Sequence, residues 1–248
     1  MTLFRRINIR LIFPALIVCC LFTGIPLNLP AQTKIKVGVY QNIPRSFIDE
    51  QGLAKGFFID ILEYVAKNED WDVEYVSDTW AQCLQNLEKG EIDLLGGIAY
   101  SSERSKLFDY SFESLQTEWG RVYTRKQFGI ESILDLKFKK IAVLQGDIHF
   151  INLRSMMNSF GFAVRFIEAF DYETVMELVE VGRCDAGVVS HFYGMLHEND
   201  YQVYKSSVIF SPQKLYFAVP KGRNWGLLHA LDQHLHALKR DRKSFYYQ

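Results

Sequence analysis

The sequence predicts an α/β protein with largely parallel sheets, built from two similar halves. Strand and helix patterns alternate along the chain from about residue 34, which is the arrangement of α/β folds. A short helix-to-strand sequence occurs once in each half and suggests two lobes of the same kind. With 248 residues, the chain is long enough for one large domain or two small lobes with their own cores.

In the first half, residues 34–40 alternate polar and apolar side chains, as a strand with one buried face does. Apolar residues after Gly56 recur at helical spacing, and residues 73–76 predict a second strand. A second helical face ends at Gly90. Residues 92–98 are mostly apolar and predict a strand covered on both faces, as in parallel sheets.

The second half repeats this alternation and ends in a helix. The predicted elements are a strand over 140–144, a helix from 146 to about 160, a strand over 164–167, a helix over 172–181, a strand over 186–189 and a C-terminal helix over 231–240. Alternation of this kind favours parallel strands joined by helical crossovers.

The repeated sequence is LEKGEID at 87–93 and VEVGRCD at 179–185. In each copy a helix ends at a glycine, which readily takes the left-handed cap conformation. An aspartate follows three residues later and opens a hydrophobic strand. We interpret Asp93 and Asp185 as structural residues that hold a turn by side-chain hydrogen bonds.

The N-terminus has the pattern of a secretory signal peptide. Three arginines precede an uncharged stretch over 11–30, which is mostly apolar as far as Gly24 and is then broken by two prolines. Ala31 supplies a small residue at a cleavage point. We predict a signal peptide over 1–31 and a periplasmic mature protein, with an uncleaved membrane anchor as the open alternative.

The composition gives no indication of nucleic-acid binding, since the formal net charge is −1 and no long charged run occurs. The six histidines show no spacing that would close a metal site, and no cofactor motif is present. After Ala31 the only cysteines are Cys83 and Cys184, in different halves, and we expect both to be unpaired and buried. We expect a monomer without cofactor or metal.

The chain resembles the family 3 extracellular solute-binding proteins and the periplasmic sensor domains that share their fold. The resemblance covers residues 34–247 and rests on the order of its motifs. They are VGVY at 37–40, GFFID at 56–60, GEID at 90–93, GIAYSSER at 97–104, FDYS at 108–111, KKIAVLQG at 139–146 and GRCD at 182–185.

The resemblance implies a type II periplasmic binding-protein fold with two hinge crossings. Lobe 1 would comprise residues 33–118 and 213–248, and lobe 2 would comprise residues 119–212. The implied function is binding of a small organic, carboxylate-bearing ligand in the cleft between the lobes, which closes around it.

Arg104 is the first candidate ligand residue. We expect Ser101 or Ser102 to cap a helix through Ser105 to Phe108, which places a cation in its first turn, where an anionic partner would be stabilising. The planar guanidinium suits a carboxylate, and the matching arginine of amino-acid-binding relatives holds that group. A salt bridge to Glu103, Asp109 or another surface acid is the structural alternative.

The other lobe 1 candidates are small or aromatic. Gly97 and Ala99 would contribute only backbone contacts, because their side chains have no donors. Tyr100 is expected in the wall of the site or in the core. Tyr40, Phe47 and Trp80 are candidate aromatic walls, with core packing as an equal alternative.

In lobe 2, Asp147 follows a predicted strand and is expected either to cap the next helix or to contact the ligand. Ser190 lies where relatives that bind α-amino acids carry an acid for the ammonium group. A neutral hydroxyl cannot pair with a buried cation as a carboxylate does, so this departure puts ordinary amino-acid binding in doubt, although Asp147 is a substitute candidate.

The resemblance leaves the biological role open. The ligand-bound protein would deliver its solute to an ABC permease or signal to a membrane-bound partner. An enzyme of the same fold, such as a prephenate or arogenate dehydratase, is the alternative of a different class, and Glu113 and Asp147 are its only candidate acids.

Overall fold

Strands and helices alternate in the computed structural model, which describes residues 32–248. The strands are β1 (Thr33–Val39), β2 (Phe47–Ile48), β3 (Ala54–Lys55), β4 (Trp71–Ser77), β5 (Leu94–Ala99), β6 (Phe108–Tyr110), β7 (Gln116–Thr124), β8 (Lys140–Leu144), β9 (Arg165–Ala169), β10 (Ala186–Ser190) and β11 (Tyr204–Pro220). The α-helices are α1 (Phe57–Glu69), α2 (Trp80–Lys89), α3 (Ile148–Ser159), α4 (Tyr172–Glu180), α5 (His191–His197) and α6 (Trp225–Arg240). The predicted signal peptide lies outside the described residues.

Two groups of parallel strands form the sheet, with two antiparallel strands between them. The strand order is β4-β1-β5-β11-β7-β10-β8-β9, and β6 pairs with β11 beside this path. Strand β1 pairs in parallel with β4 and β5, and β8 pairs in parallel with β9 and β10. This arrangement confirms the predicted α/β class with mainly parallel strands.

Strands β7 and β11 connect the two groups. Along its length β11 changes partner, from β7 over Tyr204–Leu215 to β5 over Leu215–Ala218. The predicted lobe boundaries at 118–119 and 212–213 fall within these two strands. The exact boundaries stay a prediction.

The repeated aspartates make the same contacts in both halves. The Lys36 amide donates to Asp93 Oδ2 at 2.9 Å, and the Asp93 amide donates back to the Lys36 carbonyl at 2.8 Å. Lys140 and Asp185 exchange the same two hydrogen bonds, both at 2.8 Å. Each aspartate thus ties the turn after a helix to the neighbouring parallel strand, which confirms the structural interpretation.

One predicted helix is absent. The segment expected to be helical through Phe108 contains only a single 3₁₀ turn, Arg104–Lys106. Strand β6 begins at Phe108 and pairs with Val219 and neighbouring residues of β11, which holds the backbone extended. The Ser101 hydroxyl still accepts the Arg104 amide at 3.2 Å, so the capping contact forms without an α-helix.

Cys83 and Cys184 are both free and buried, as predicted. Among residues 32–248, no helix combines the length and apolar character needed to cross a bilayer. The same residues contain no group of three or more His, Cys, Asp or Glu side chains arranged to hold a metal ion.

Candidate functional site

A small cavity lies where the two parallel groups meet, and we call it the central cavity. Its volume is about 30 Å³. Seven of the nine predicted ligand residues line it: Tyr40, Trp80, Gly97, Ala99, Arg104, Asp147 and Ser190. A single water needs about 10–15 Å³ of such space, so a solute of several heavy atoms can enter only if the walls move.

Arg104 reaches across this cavity. Its Nη1 donates to the Ala99 carbonyl at 3.0 Å, and its Nη2 donates to the Gly146 carbonyl, between β8 and α3, at 2.7 Å. The side chain is buried, and within the described residues it has no acidic partner at salt-bridge distance. Burial lowers the pKa of Arg104, but an arginine remains a cation at neutral pH. Its guanidinium carbon also lies 5.8 Å from the Trp80 ring centre. Arg104 is therefore a buried positive charge whose contacts are two neutral carbonyls and an aromatic ring.

The predicted neighbouring acid, Asp109, is engaged elsewhere. Its carboxylate pairs at 2.6 Å with Lys221, the residue after β11. The salt-bridge alternative for Arg104 is thus not realised with this residue.

Two aromatic rings form the adjoining wall. Trp80 Nε1 donates to the Gly146 carbonyl at 3.2 Å, and the Tyr40 and Trp80 ring centres lie 4.5 Å apart. A Cβ at Gly97 would lie 2.5 Å from the Tyr40 hydroxyl oxygen, and the φ angle of Gly97 is +87°. Only glycine fits there without strain, since L side chains rarely adopt that conformation.

Asp147 caps the N-terminus of α3. Capping was one of its two predicted roles, the other being contact with the ligand. Its Oδ1 accepts the His149 amide at 3.2 Å, and its Oδ2 accepts the Tyr172 hydroxyl at 2.9 Å. Ser190 caps α5 in the same way, with its Oγ accepting the Tyr193 amide at 3.3 Å. Both residues combine a cap with a place in the cavity wall.

A second buried arginine, Arg45, was not predicted. It forms an ion pair with Glu118 of β7, and the two side chains are 3% and 2% exposed. Its Nη1 lies 3.4 Å from Ser190 Oγ, and its guanidinium carbon lies 5.0 Å from the Phe192 ring centre. Burial lowers the pKa of Arg45 to about 10, so it is charged at pH 7.

Glu118 also caps α5 from the neighbouring strand. Its Oε1 accepts the His191 amide at 2.8 Å and the Trp119 amide at 3.1 Å. One sequence pattern could have identified it, because Glu118 shares the buried phase of β7 with Gly120 and Val122. A single acidic residue at a buried position of a strand predicts a cation or hydrogen-bond donor inside the protein that pairs with it.

His149 completes the wall and was also missed. Its side chain is buried, and Nδ1 has no hydrogen-bond partner among the described residues. Burial lowers the pKa of His149 below its ordinary value, so the imidazole is neutral at pH 7. It can hydrogen-bond a ligand but carries no charge.

Two predicted wall residues lie elsewhere. Tyr100 is 55% exposed and packs against Tyr110, with ring centres 5.5 Å apart, because it follows the end of β5 and turns outward. Phe47 lies in the β2–β3 hairpin, opposite Lys55. Neither is among the residues that line the central cavity.

A larger recess of about 530 Å³ lies beside the central cavity, and we call it the outer recess. It lies between the segment 41–48, the start of α4, and α5 with the residues that follow it as far as Tyr201. Its walls include three acids, Asp171, Glu173 and Asp200, and no lysine or arginine. Tyr172 lines both spaces and separates them.

Comparisons with known proteins agree on one family. The sequence model of the bacterial extracellular solute-binding proteins, family 3, matches residues 35–245. The amino-acid-binding protein AabA of Dichelobacter nodosus is 26% identical over 210 residues, which cover 80% of this chain and 79% of that protein.

Two solved structures share the fold. A histidine kinase sensor domain with similarity to periplasmic binding proteins has a TM-score of 0.75 at 22% identity, covering 84% of this chain and 91% of that one. The ancestral amino acid-binding protein AncCDT-1, a precursor of cyclohexadienyl dehydratase, has a TM-score of 0.72 at 25% identity, covering 84% and 90%.

Proposed function

Because this chain belongs to family 3 of the bacterial extracellular solute-binding proteins, we propose that it binds a small carboxylate-bearing solute in the central cavity. Arg104 is the anion's partner in this proposal. The observation that carries it is that Arg104 is buried and, within residues 32–248, has no acid at salt-bridge distance; its hydrogen bonds go to the Ala99 and Gly146 carbonyls.

A buried cation is costly unless it is paired. A carboxylate that replaces the two carbonyls would neutralise Arg104 and accept two parallel hydrogen bonds from its planar fork. The Gly146 carbonyl would keep the Trp80 hydrogen bond after Arg104 leaves it. The lobe 2 carbonyl that Arg104 releases, that of Gly146, therefore still accepts a hydrogen bond after the exchange.

The strand arrangement supports hinge closure between residues 33–118 with 213–248 and residues 119–212. Arg104 and Trp80 of the first lobe both donate to Gly146 of the second, so these contacts break when the lobes separate. A solute binds in the opened cleft and stabilises closure to the extent that the closed state contacts it better.

The partner belongs to one of two classes. AabA is named as an amino-acid-binding protein, and the sensor domain belongs to a histidine kinase. We propose export by cleavage of the 1–31 signal peptide, followed by delivery of the solute to an ABC permease or by transmembrane signalling. Genes adjacent to the coding sequence distinguish these two roles.

The test is thermal unfolding of the protein with a panel of small carboxylates, including acetate, lactate, succinate, alanine and glutamate. At a hundredfold excess over Kd, a ligand of the folded state stabilises it by about 2.7 kcal/mol. Arg104→Ala should lose this stabilisation, whereas Lys106→Ala, an exposed cation in the same turn, should retain it. Equal stabilisation of wild type and Arg104→Ala would remove Arg104 from the site.

The enzyme alternative has little support from its candidate acids. Glu113 lies outside the central cavity, where hydrogen bonds from His236 and Lys239 lower its pKa. A general acid needs the opposite shift. Both oxygens of Asp147 already accept internal hydrogen bonds. Turnover of prephenate by the purified protein would replace the binding proposal with an enzymatic one.

A further inference from the structure

We propose that the end of lobe 2 farthest from the central cavity docks on a bilayer of anionic phospholipids. The surface consists of the segments 125–128, 137–139 and 160–165, and we call it the basic face. These segments contain five lysines and arginines, four phenylalanines and no acid. Docking there goes beyond solute binding, since it concerns how the protein is held at a membrane.

The basic face and the central cavity lie at opposite edges of the sheet. Strands β8 and β9 are parallel, and their first residues, Lys140 and Arg165, pair with each other. Asp147, in the cavity wall, follows the other end of β8. A strand of five residues is about 16 Å long. A protein docked by the basic face therefore keeps its cavity away from the bilayer.

Cations and aromatic rings are in contact on this face. Lys137 Nζ lies 5.1 Å from the Phe138 ring centre and 5.3 Å from that of Phe162. The rings of Phe162 and Phe160 are 5.5 Å apart. Phe128 contacts two more cations, with its ring centre 4.8 Å from the Arg125 guanidinium carbon and 5.5 Å from Lys139 Nζ. The face is thus a mixed basic and aromatic surface.

The positive charge of the basic face is available to a partner. The lysine and arginine ion pairs found within residues 32–248 involve none of its residues. Two acids lie between its segments, and both accept hydrogen bonds from their surroundings. Glu131 accepts the Ser207 hydroxyl at 2.8 Å, and Asp135 accepts the Ser132 amide at 2.8 Å.

Phe138 is the most informative residue of the face. Its φ angle is +61°, its side chain is 74% exposed, and its amide donates to the Ala163 carbonyl at 2.7 Å. A left-handed conformation is unfavourable for a residue with a Cβ, and glycine or asparagine adopts it at lower cost. An exposed ring gains little from burial, so the fold does not explain this phenylalanine. Such conformations concentrate at functional sites.

A bilayer suits this combination of side chains. Lysines and arginines contact lipid phosphates while phenylalanine rings enter the boundary with the acyl chains. Each lysine or arginine near an anionic bilayer strengthens binding about fivefold. A bilayer also accepts protruding rings without a pocket shaped for them. The charge and the exposed rings of the basic face therefore favour anionic lipid as its partner.

The experiment is co-sedimentation with lipid vesicles. Residues 32–248 form a compact unit, and using this unit keeps the apolar segment 11–30 from binding vesicles itself. We expect vesicles of equal parts phosphatidylglycerol and phosphatidylcholine to bind the protein at least about tenfold more strongly than phosphatidylcholine alone. Raising NaCl to about 1 M should remove this preference. No binding, or equal binding to both vesicles, would overturn the proposal.

Phe138→Asn separates lipid binding from folding. Asparagine tolerates the left-handed conformation, so the variant should unfold at the same temperature as wild type or higher. It should nevertheless bind the anionic vesicles at least about fivefold more weakly. The matched control is Phe112→Asn, because Phe112 is 90% exposed and lies outside the basic face; it should bind as wild type does. Undiminished binding by Phe138→Asn would overturn the proposal.

Analytical ultracentrifugation of the free protein tests a second copy of the chain as the occupant of the basic face. A monomer that binds anionic vesicles supports the lipid assignment. A dimer that Phe138→Asn dissociates, in a protein that does not bind vesicles, would overturn it.

Discussion

The two walls of the central cavity each contain a buried arginine. The two arginines differ in whether a carboxylate pairs with their charge. Arg45 is 2% exposed and pairs with the Glu118 carboxylate inside the protein. Arg104 is 7% exposed; among the described residues it hydrogen-bonds two carbonyls, lies over the Trp80 ring and has no acid at salt-bridge distance. The difference shows that burial alone does not identify a binding residue. Arg45 completes an internal ion pair, whereas Arg104 has no such pair and is the residue that we propose to bind the anion.

The largest loss of folding stability is expected from Arg45→Met. The substitution leaves the Glu118 carboxylate buried and unpaired, which typically destabilises a protein by about 3–5 kcal/mol. The measurement is urea unfolding without ligand, followed by tryptophan fluorescence.

A double variant sharpens this prediction. Arg45→Met combined with Glu118→Gln removes both charges and keeps an oxygen that can accept the His191 amide. Replacing a whole buried pair is often close to neutral, so the double variant should recover most of the lost stability. Additive losses would show that the two side chains do not act as a pair.

A smaller effect is expected from Arg104→Met in the same experiment. The substitution removes two hydrogen bonds to neutral carbonyls and the cation–π contact with Trp80, and the Gly146 carbonyl keeps its bond from Trp80. The free energy of unfolding should fall by no more than about 1–2 kcal/mol. A loss as large as that of Arg45→Met would mean that Arg104 is structurally paired as well, and the comparison between the two walls would fail.

Local patterns predicted much of the fold. The paired aspartates Asp93 and Asp185 were identified because each follows a helix-ending glycine at a fixed spacing. The helix expected after Ser101 was wrong, because pairing of β6 with β11 involves residues more than a hundred positions apart. Helix α5 was missed for a related reason: its N-terminus is capped by Ser190 and by Glu118 of another strand.

Candidate residues named from the sequence line the central cavity on both sides, but the buried Arg45–Glu118 pair was missed. Arg104 and Trp80 lie in segments whose order along the chain resembles a known family, so both could be named from the sequence. The contact between Arg45 and Glu118 joins a loop to a distant strand and follows no local periodicity. Tyr100 was misplaced because an aromatic residue at the end of a strand can turn to either side, and here it turns toward Tyr110 and solvent.

The most direct measurement of the central claim is a crystal structure of the protein with succinate. We expect one carboxylate within about 3 Å of the Arg104 guanidinium nitrogens, in place of the Ala99 and Gly146 carbonyls, with the Arg45–Glu118 pair intact. Succinate bound in the outer recess, with Arg104 still on both carbonyls, would contradict it.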